Sequence, residues 1–129
     1  MNMDPGLKVL VVDDEQDLAE MLKVRLESDG FLVDVAFDAD AALRKAKFWQ
    51  PDAVVLDVIL AGMDGWEVAQ RLRKDPVTAK TVIVLVTAWP IEEAEKRAKS
   101  VGANGIVFKP FYHQELINVL RAEIGKRKY

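Results

Sequence analysis

The chain has no cysteine, a single histidine and no apolar run near the roughly 20 residues that cross a membrane. Without cysteine there is neither a disulfide framework nor thiolate chemistry, which suits a cytosolic setting. The N-terminus, MNMDPGLK, lacks the basic start and long apolar stretch of a signal peptide. Excess positive charge is missing too. Lys and Arg number 18 against 21 Asp and Glu, a net charge of −3, which argues against nucleic-acid binding by charge alone. No repeat, linker or low-complexity segment interrupts the chain. These absences predict a soluble, cytoplasmic protein that neither enters a membrane nor binds nucleic acid directly.

What is present fits one domain. The 129 residues are 50% hydrophobic, enough to exclude disorder and to bury a core. Five short apolar runs alternate with stretches of helical spacing: LKVLVV (7–12), FLVDVAF (31–37), DAVVLDVIL (52–60), TVIVLVTA (81–88) and GIVFK (105–109). Runs one, three and four are almost unbroken and rich in Val, the pattern of strands covered on both faces. The second run alternates, as an edge strand would. Between the runs, Leu18, Met21, Leu22 and Leu26 share a helical face that closes at Asp29-Gly30. An Ala-rich second helix ends before Pro51, and Val68, Ala69 and Leu72 mark a third that stops near Asp75-Pro76. Leu116, Val119, Leu120 and Ile124 mark a fifth. The fourth offers mainly Ile91, Ala94, Ala98 and Val101, so it should be the most loosely held. The alternation predicts an α/β fold, an open five-stranded parallel sheet with helices on both faces.

In such a sheet the ligand crevice lies beyond the carboxyl ends of the strands. Asp13 and Asp14 end the first run, Asp57 lies near the end of the third, Thr87 ends the fourth and Lys109 the fifth. Two like charges about 4 Å apart cost roughly 4 kcal/mol at an effective dielectric of about 20, so converging carboxylates need protons or a cation. An all-oxygen set with room for water suits Mg²⁺. Asp57, flanked by Leu56 and Val58, is a candidate nucleophile for phosphoryl transfer, forming an aspartyl-phosphate. Lys109 would pair with the phosphoryl oxygens and Thr87 would donate a hydrogen bond to one of them.

The set VVDDE (11–15), VVLDVILAGMDGWE (54–67), VTA (86–88) and FKPF (108–111) resembles the response-regulator receiver domain of two-component signalling, from about Leu7 to Ile124. The resemblance implies a flavodoxin-like, doubly wound (βα)5 domain over 7–124 with strand order 2-1-3-4-5. Residues 1–6 would be an N-terminal extension and 125–129 a tail or the start of a linker. It implies that Asp57 accepts phosphate from the phosphohistidine of a sensor histidine kinase or phosphotransfer protein, with no enzymatic activity beyond its own phosphorylation and dephosphorylation. Asp14 would ligate Mg²⁺ directly, Asp13 largely through water, and the Ile59 backbone carbonyl would add a further ligand. Thr87 and Lys109 would be the switch hydroxyl and the phosphate-binding lysine. Phosphorylation would change the surface around the fourth helix, fifth strand and fifth helix. That surface would serve a downstream protein or an output domain carried elsewhere in a longer chain.

Three departures stand out. Ala61 occupies a usual proline position, and Ile106 stands where the family has an aromatic that moves with Thr87. Phe108 shares strand parity with Ile106 and is either its substitute or a packed core residue. Trp89, bulky and two residues past Thr87, is either a packing residue or one that faces a partner or shields the site. Asp64-Gly65 reads as a turn and helix start, His113 as a surface or capping residue, and Trp49 and Trp66 as packing residues. Other classes fit less well. An aspartyl phosphohydrolase would carry a second acid where Ile59 stands, and a flavodoxin would need a hydroxyl- and glycine-rich loop in place of DDEQD. A receiver-like interaction module working without phosphate is the remaining alternative.

Overall fold

The Val-rich runs become strands and the intervening segments helices. In the computed structural model, which describes residues 6–127, the order is β1 (Lys8–Val12), α1 (Gln16–Ser28), β2 (Leu32–Ala36), α2 (Ala39–Trp49), β3 (Ala53–Asp57), α3 (Gly65–Lys74), β4 (Val82–Thr87), α4 (Ile91–Ser100), β5 (Gly105–Phe108) and α5 (His113–Arg127). All strand pairs are parallel, in the order β2-β1-β3-β4-β5. The architecture is the expected doubly wound α/β sheet, with β2 on one edge. Among the described residues no helix is long and apolar enough to cross a membrane.

Because successive strand side chains point to opposite faces, each strand feeds two cores. Leu10, Val12, Val54, Leu56, Ile83 and Leu85 meet α2, α3 and α4 on one face. Val9, Val11, Val55, Val84, Val86 and Val107 meet α1 and α5 on the other. Asp38 and Asp64 start α2 and α3 by accepting the backbone N–H of Ala41 and Glu67, each at 2.8 Å.

The helix faces differ from expectation in two places. In α1 the buried residues are Ala19 and Leu26, with Leu22 half-buried, while Leu18 and Met21 remain 42% and 54% exposed. The stripe through 19, 22 and 26 is a cleaner 3.6-residue repeat than one through Leu18, and it lets the small Ala19 approach the sheet. In α4 only Ala94 and Ala98 are buried, with Val101 at the cap, and Ile91 is exposed. This helix is thinly anchored, as its alanines foretold. α5 does not stop at Ile124 but runs through Gly125 to Arg127, where the guanidinium pairs with Asp52 at 2.8 Å. Residues 1–5 of the expected extension, and 128–129 of the expected tail, lie outside the described residues.

Candidate functional site

The strands finish on one rim, and the side chains that matter there come from the last strand residues and the loops directly after them. Asp57 is the last residue of β3 and only 6% exposed. One carboxylate oxygen accepts the N–H of Ile59 at 2.9 Å, and the other meets the Lys109 ammonium at 2.7 Å. Lys109 follows β5, and its backbone N–H donates to the Thr87 carbonyl at 2.8 Å, so the lysine is placed by continued pairing of β5 with β4. Strands three and five thus deliver opposite charges to one point across the intervening β4.

Asp13 follows β1 and keeps strand geometry for one more residue, its N–H donating to the Ala36 carbonyl. It is half-buried, and its carboxylate accepts the N–H of Glu15 at 2.9 Å. Burial, then the charges of Asp57 and Asp14, push its pKa above the ordinary 3.8, against the opposing pull of the Glu15 N–H and Lys109. For Lys109, burial alone would lower the pKa. The bond to Asp57, with the charges of Asp57, Asp13 and Glu15, more than offsets it, and the pKa is raised from the ordinary 10.5. Asp14 sits on the exposed side of the same turn. Among the described residues no three acidic, histidine or cysteine side chains are grouped so that they could by themselves hold a metal ion, so Asp13, Asp14 and Asp57 do not form a complete set of ligands. What the rim offers is more open: Asp13 and Asp57 line one cavity, with Asp14 exposed beside them.

Thr87, the last residue of β4, is buried, and its hydroxyl oxygen accepts the N–H of Trp89 at 3.0 Å. That leaves the hydroxyl proton free to be donated. In register, Thr87 lies opposite Phe108, and Ile106 opposite Leu85. Both Ile106 and Phe108 are half-buried against the same core.

A cavity of about 590 Å³ opens beside Asp57, between α1 and the β5–α5 loop. Asp13, Glu15, Asp57 and Lys109 are among its polar lining, and Leu18, Met21 and Phe111 are among its apolar walls. This apolar wall was not read from the sequence. Its signal was the phase of Leu18 and Met21, one step off the buried stripe. His113 also lines the cavity at the start of α5.

Gly65 is a second residue that sequence reasoning undervalued. Its N–H donates to the Val58 carbonyl at 2.8 Å, and a Cβ there would overlap the Asp57 carbonyl and the Val58 backbone. The Asp64-Gly65 pair therefore does more than turn the chain. It lets α3 press against the Asp57–Val58 segment and fixes where Asp57 ends.

Comparison with known proteins agrees with this geometry. Residues 9–121 match the family model of the response regulator receiver domain. The chain is 36% identical over 121 residues to the phosphate regulon transcriptional regulatory protein PhoB of Rhizobium meliloti, a match covering 94% of this chain and 53% of that protein. It therefore spans about half the length of that relative. Chemotaxis response regulator CheY4 of Vibrio cholerae superimposes with a TM-score of 0.86 at 31% identity, covering 92% of this chain and 99% of that one. The receiver domain of the Pseudomonas aeruginosa sensor histidine kinase PA1611, solved with a magnesium ion in its active-site cleft, gives a TM-score of 0.85 at 26% identity. It covers 94% of this chain and 99% of that one. The chain belongs to the response regulator receiver domain family, the phosphorylation-dependent signalling domains of two-component systems.

Proposed function

We propose that this chain is a Mg²⁺-dependent phosphoryl acceptor, and that Asp57 is the residue modified. The observation that carries the reading is a nearly buried carboxylate at a strand end, 2.7 Å from a lysine and open to a cavity. An Asp57 oxygen attacks the phosphorus of a donor phosphohistidine. The P–N bond breaks, its electron pair returns to the imidazole ring, and an acyl phosphate forms on Asp57. Lys109 exchanges its bond with the carboxylate for one with a phosphoryl oxygen, and the free Thr87 proton is donated to another.

The donor set suits the metal. Asp13, Asp14, Asp57 and the Ile59 carbonyl are hard oxygens, and the ionised form of Asp13, disfavoured first by burial and then by the charges of Asp57 and Asp14, is one that a cation would stabilise. When bound, Mg²⁺ supplies neutralisation of charge on the transferring group. The apolar wall of Leu18, Met21 and Phe111 beside Asp57 gives an incoming donor protein something to dock on. The readout surface is α4, β5 and α5, whose thinly anchored α4 costs least to move. The domain is a switch without a turnover reaction of its own beyond gain and loss of phosphate. It acts in the cytoplasm, passing its state to a downstream protein or to an output segment.

Incubation with acetyl phosphate and Mg²⁺, followed by intact mass measurement, tests the reading. One phosphoryl group is expected on the parent and none on Asp57→Asn. Undiminished labelling of that variant would reject the assignment.

A further inference from the structure

The Thr87 hydroxyl is tied to the turn that follows it. Its oxygen accepts the Trp89 N–H at 3.0 Å, so the two move together or the bond breaks. The Trp89 ring, 36% exposed, meets the Trp66 ring edge-on, with centroids 5.4 Å apart at 62°. Trp66 is 2% exposed and directly follows Gly65, which is pressed against the Asp57 backbone. The guanidinium of Arg97, from α4, lies 5.6 Å from the centroid of the same Trp66 ring. Three elements, α3, the β4–α4 turn and α4, therefore meet on one indole.

Two features mark this junction as able to rearrange. The Trp66 Nε1–H is buried without an acceptor, the sole such side-chain atom among the described residues. The helix that Arg97 belongs to has only Ala94 and Ala98 buried, and its N-cap, Pro90, makes no side-chain capping bond.

We propose that Trp89 and Trp66 are positioning residues that carry a displacement of Thr87 into α3 and α4. This rests on the phosphoacceptor reading above. A phosphoryl group on Asp57 gives the Thr87 proton an acceptor. As Thr87 moves toward it, the Trp89 N–H bond draws the β4–α4 turn along. Buried Trp66 blocks one side of the Trp89 ring, so the edge-to-face contact must change, and Arg97 must follow or let go. Phe108 is the competing carrier, since it lies opposite Thr87 in register. It leads into β5, whereas the two tryptophans lead into α3 and α4. The signal takes the indole route because that route holds the buried, unpartnered donor and the thinly anchored helix.

Amide and indole NMR of the full chain, titrated with beryllofluoride and Mg²⁺, tests this directly. In the parent, shifts should spread to residues 65–74 and 91–100, and the Trp66 indole N–H signal should move. In Trp89→Ala, acetyl phosphate should still label Asp57, but the shifts in α3 and α4 should shrink about fivefold or more. Trp89→Phe, which keeps a ring and guards against a folding defect, should restore most of them. Phe108→Leu should leave them intact. Full-size α3 and α4 shifts in Trp89→Ala, or their loss in Phe108→Leu alone, would overturn the proposal. A parent that neither takes up phosphate nor responds to beryllofluoride would overturn the phosphoacceptor reading itself, and this inference with it.

Discussion

The two ends of the sheet are built on opposite principles. Where the strands begin, polar groups are tied down. Arg73 donates to the carbonyls of Gly102, Ala79 and Thr81 and to the Asn104 side chain, whose oxygen also accepts the Ile83 N–H. Thr78 and Thr81 are buried with their hydroxyls on the Leu72 and Pro51 carbonyls, and Asp52 holds both the Lys8 N–H and Arg127. Where the strands finish, one ion pair stands among carboxylates that repel one another, Asp14 is exposed, and a buried indole N–H has no acceptor. The first end fixes the register of α3, β4 and β5. The second keeps charge, open space and unspent hydrogen-bonding capacity for an incoming group. Stability and reactivity are therefore separated along the strand axis, and substitutions at the two ends should report on different properties.

The largest expected effect comes from the one residue that serves both. Gly65→Ala places a methyl group into the Asp57 backbone. It should cost about 3 kcal/mol in denaturant unfolding and remove acetyl phosphate labelling as well. Unchanged stability would mean that α3 can retreat from β3 freely. Next is Arg73→Ala at the tied end, which leaves several acceptors without their charged donor. A loss of about 2 kcal/mol is expected, with the labelling rate of the folded protein within about twofold of the parent. If labelling fell in step with stability, the separation of the two ends would be wrong.

Lys109→Met addresses the open end. Its pair with Asp57 is partly exposed, so stability should change by less than about 1 kcal/mol, while labelling should fall about a hundredfold. The smallest effect is the most diagnostic in sign. The fold raises the Asp13 pKa, so the stability linked to its protonated form is complete below the ordinary 3.8 and is lost as pH rises through the folded value. Near neutral pH the charged carboxylate is a liability. Asp13→Asn should therefore raise Tm by about 1–2 °C there, and the gain should vanish in acid. Mg²⁺ should stabilise the parent more than this variant.

Much of this was legible beforehand, for identifiable reasons. The unbroken Val-rich runs could only be strands covered on both faces, and polar residues at four strand ends could only gather on one rim. Those patterns pointed to the parallel sheet and to a rim shared by Asp57 and Lys109, whereas the strand order came from the resemblance to receiver domains, and the direct Asp57–Lys109 pair emerged only in the structure. Helix phase was less legible. Leu18 and Met21 are apolar and helically spaced, yet they wall a cavity while Ala19 faces the core. Hydrophobicity reports that a side chain prefers cover, and here the cavity wall and the core compete for the same residue types. The Gly65 contact and the Trp66–Trp89–Arg97 junction were not legible at all. Both depend on how closely α3 approaches β3 and the β4–α4 turn, a distance that no spacing rule encodes.

The most direct test of the account is to locate the phosphoryl group. After acetyl phosphate and Mg²⁺ treatment, borohydride reduction and peptide mapping should find a single modified residue, Asp57, and no modification when Mg²⁺ is withheld. A phosphoryl group found on another residue, or uptake indifferent to the metal, would contradict it.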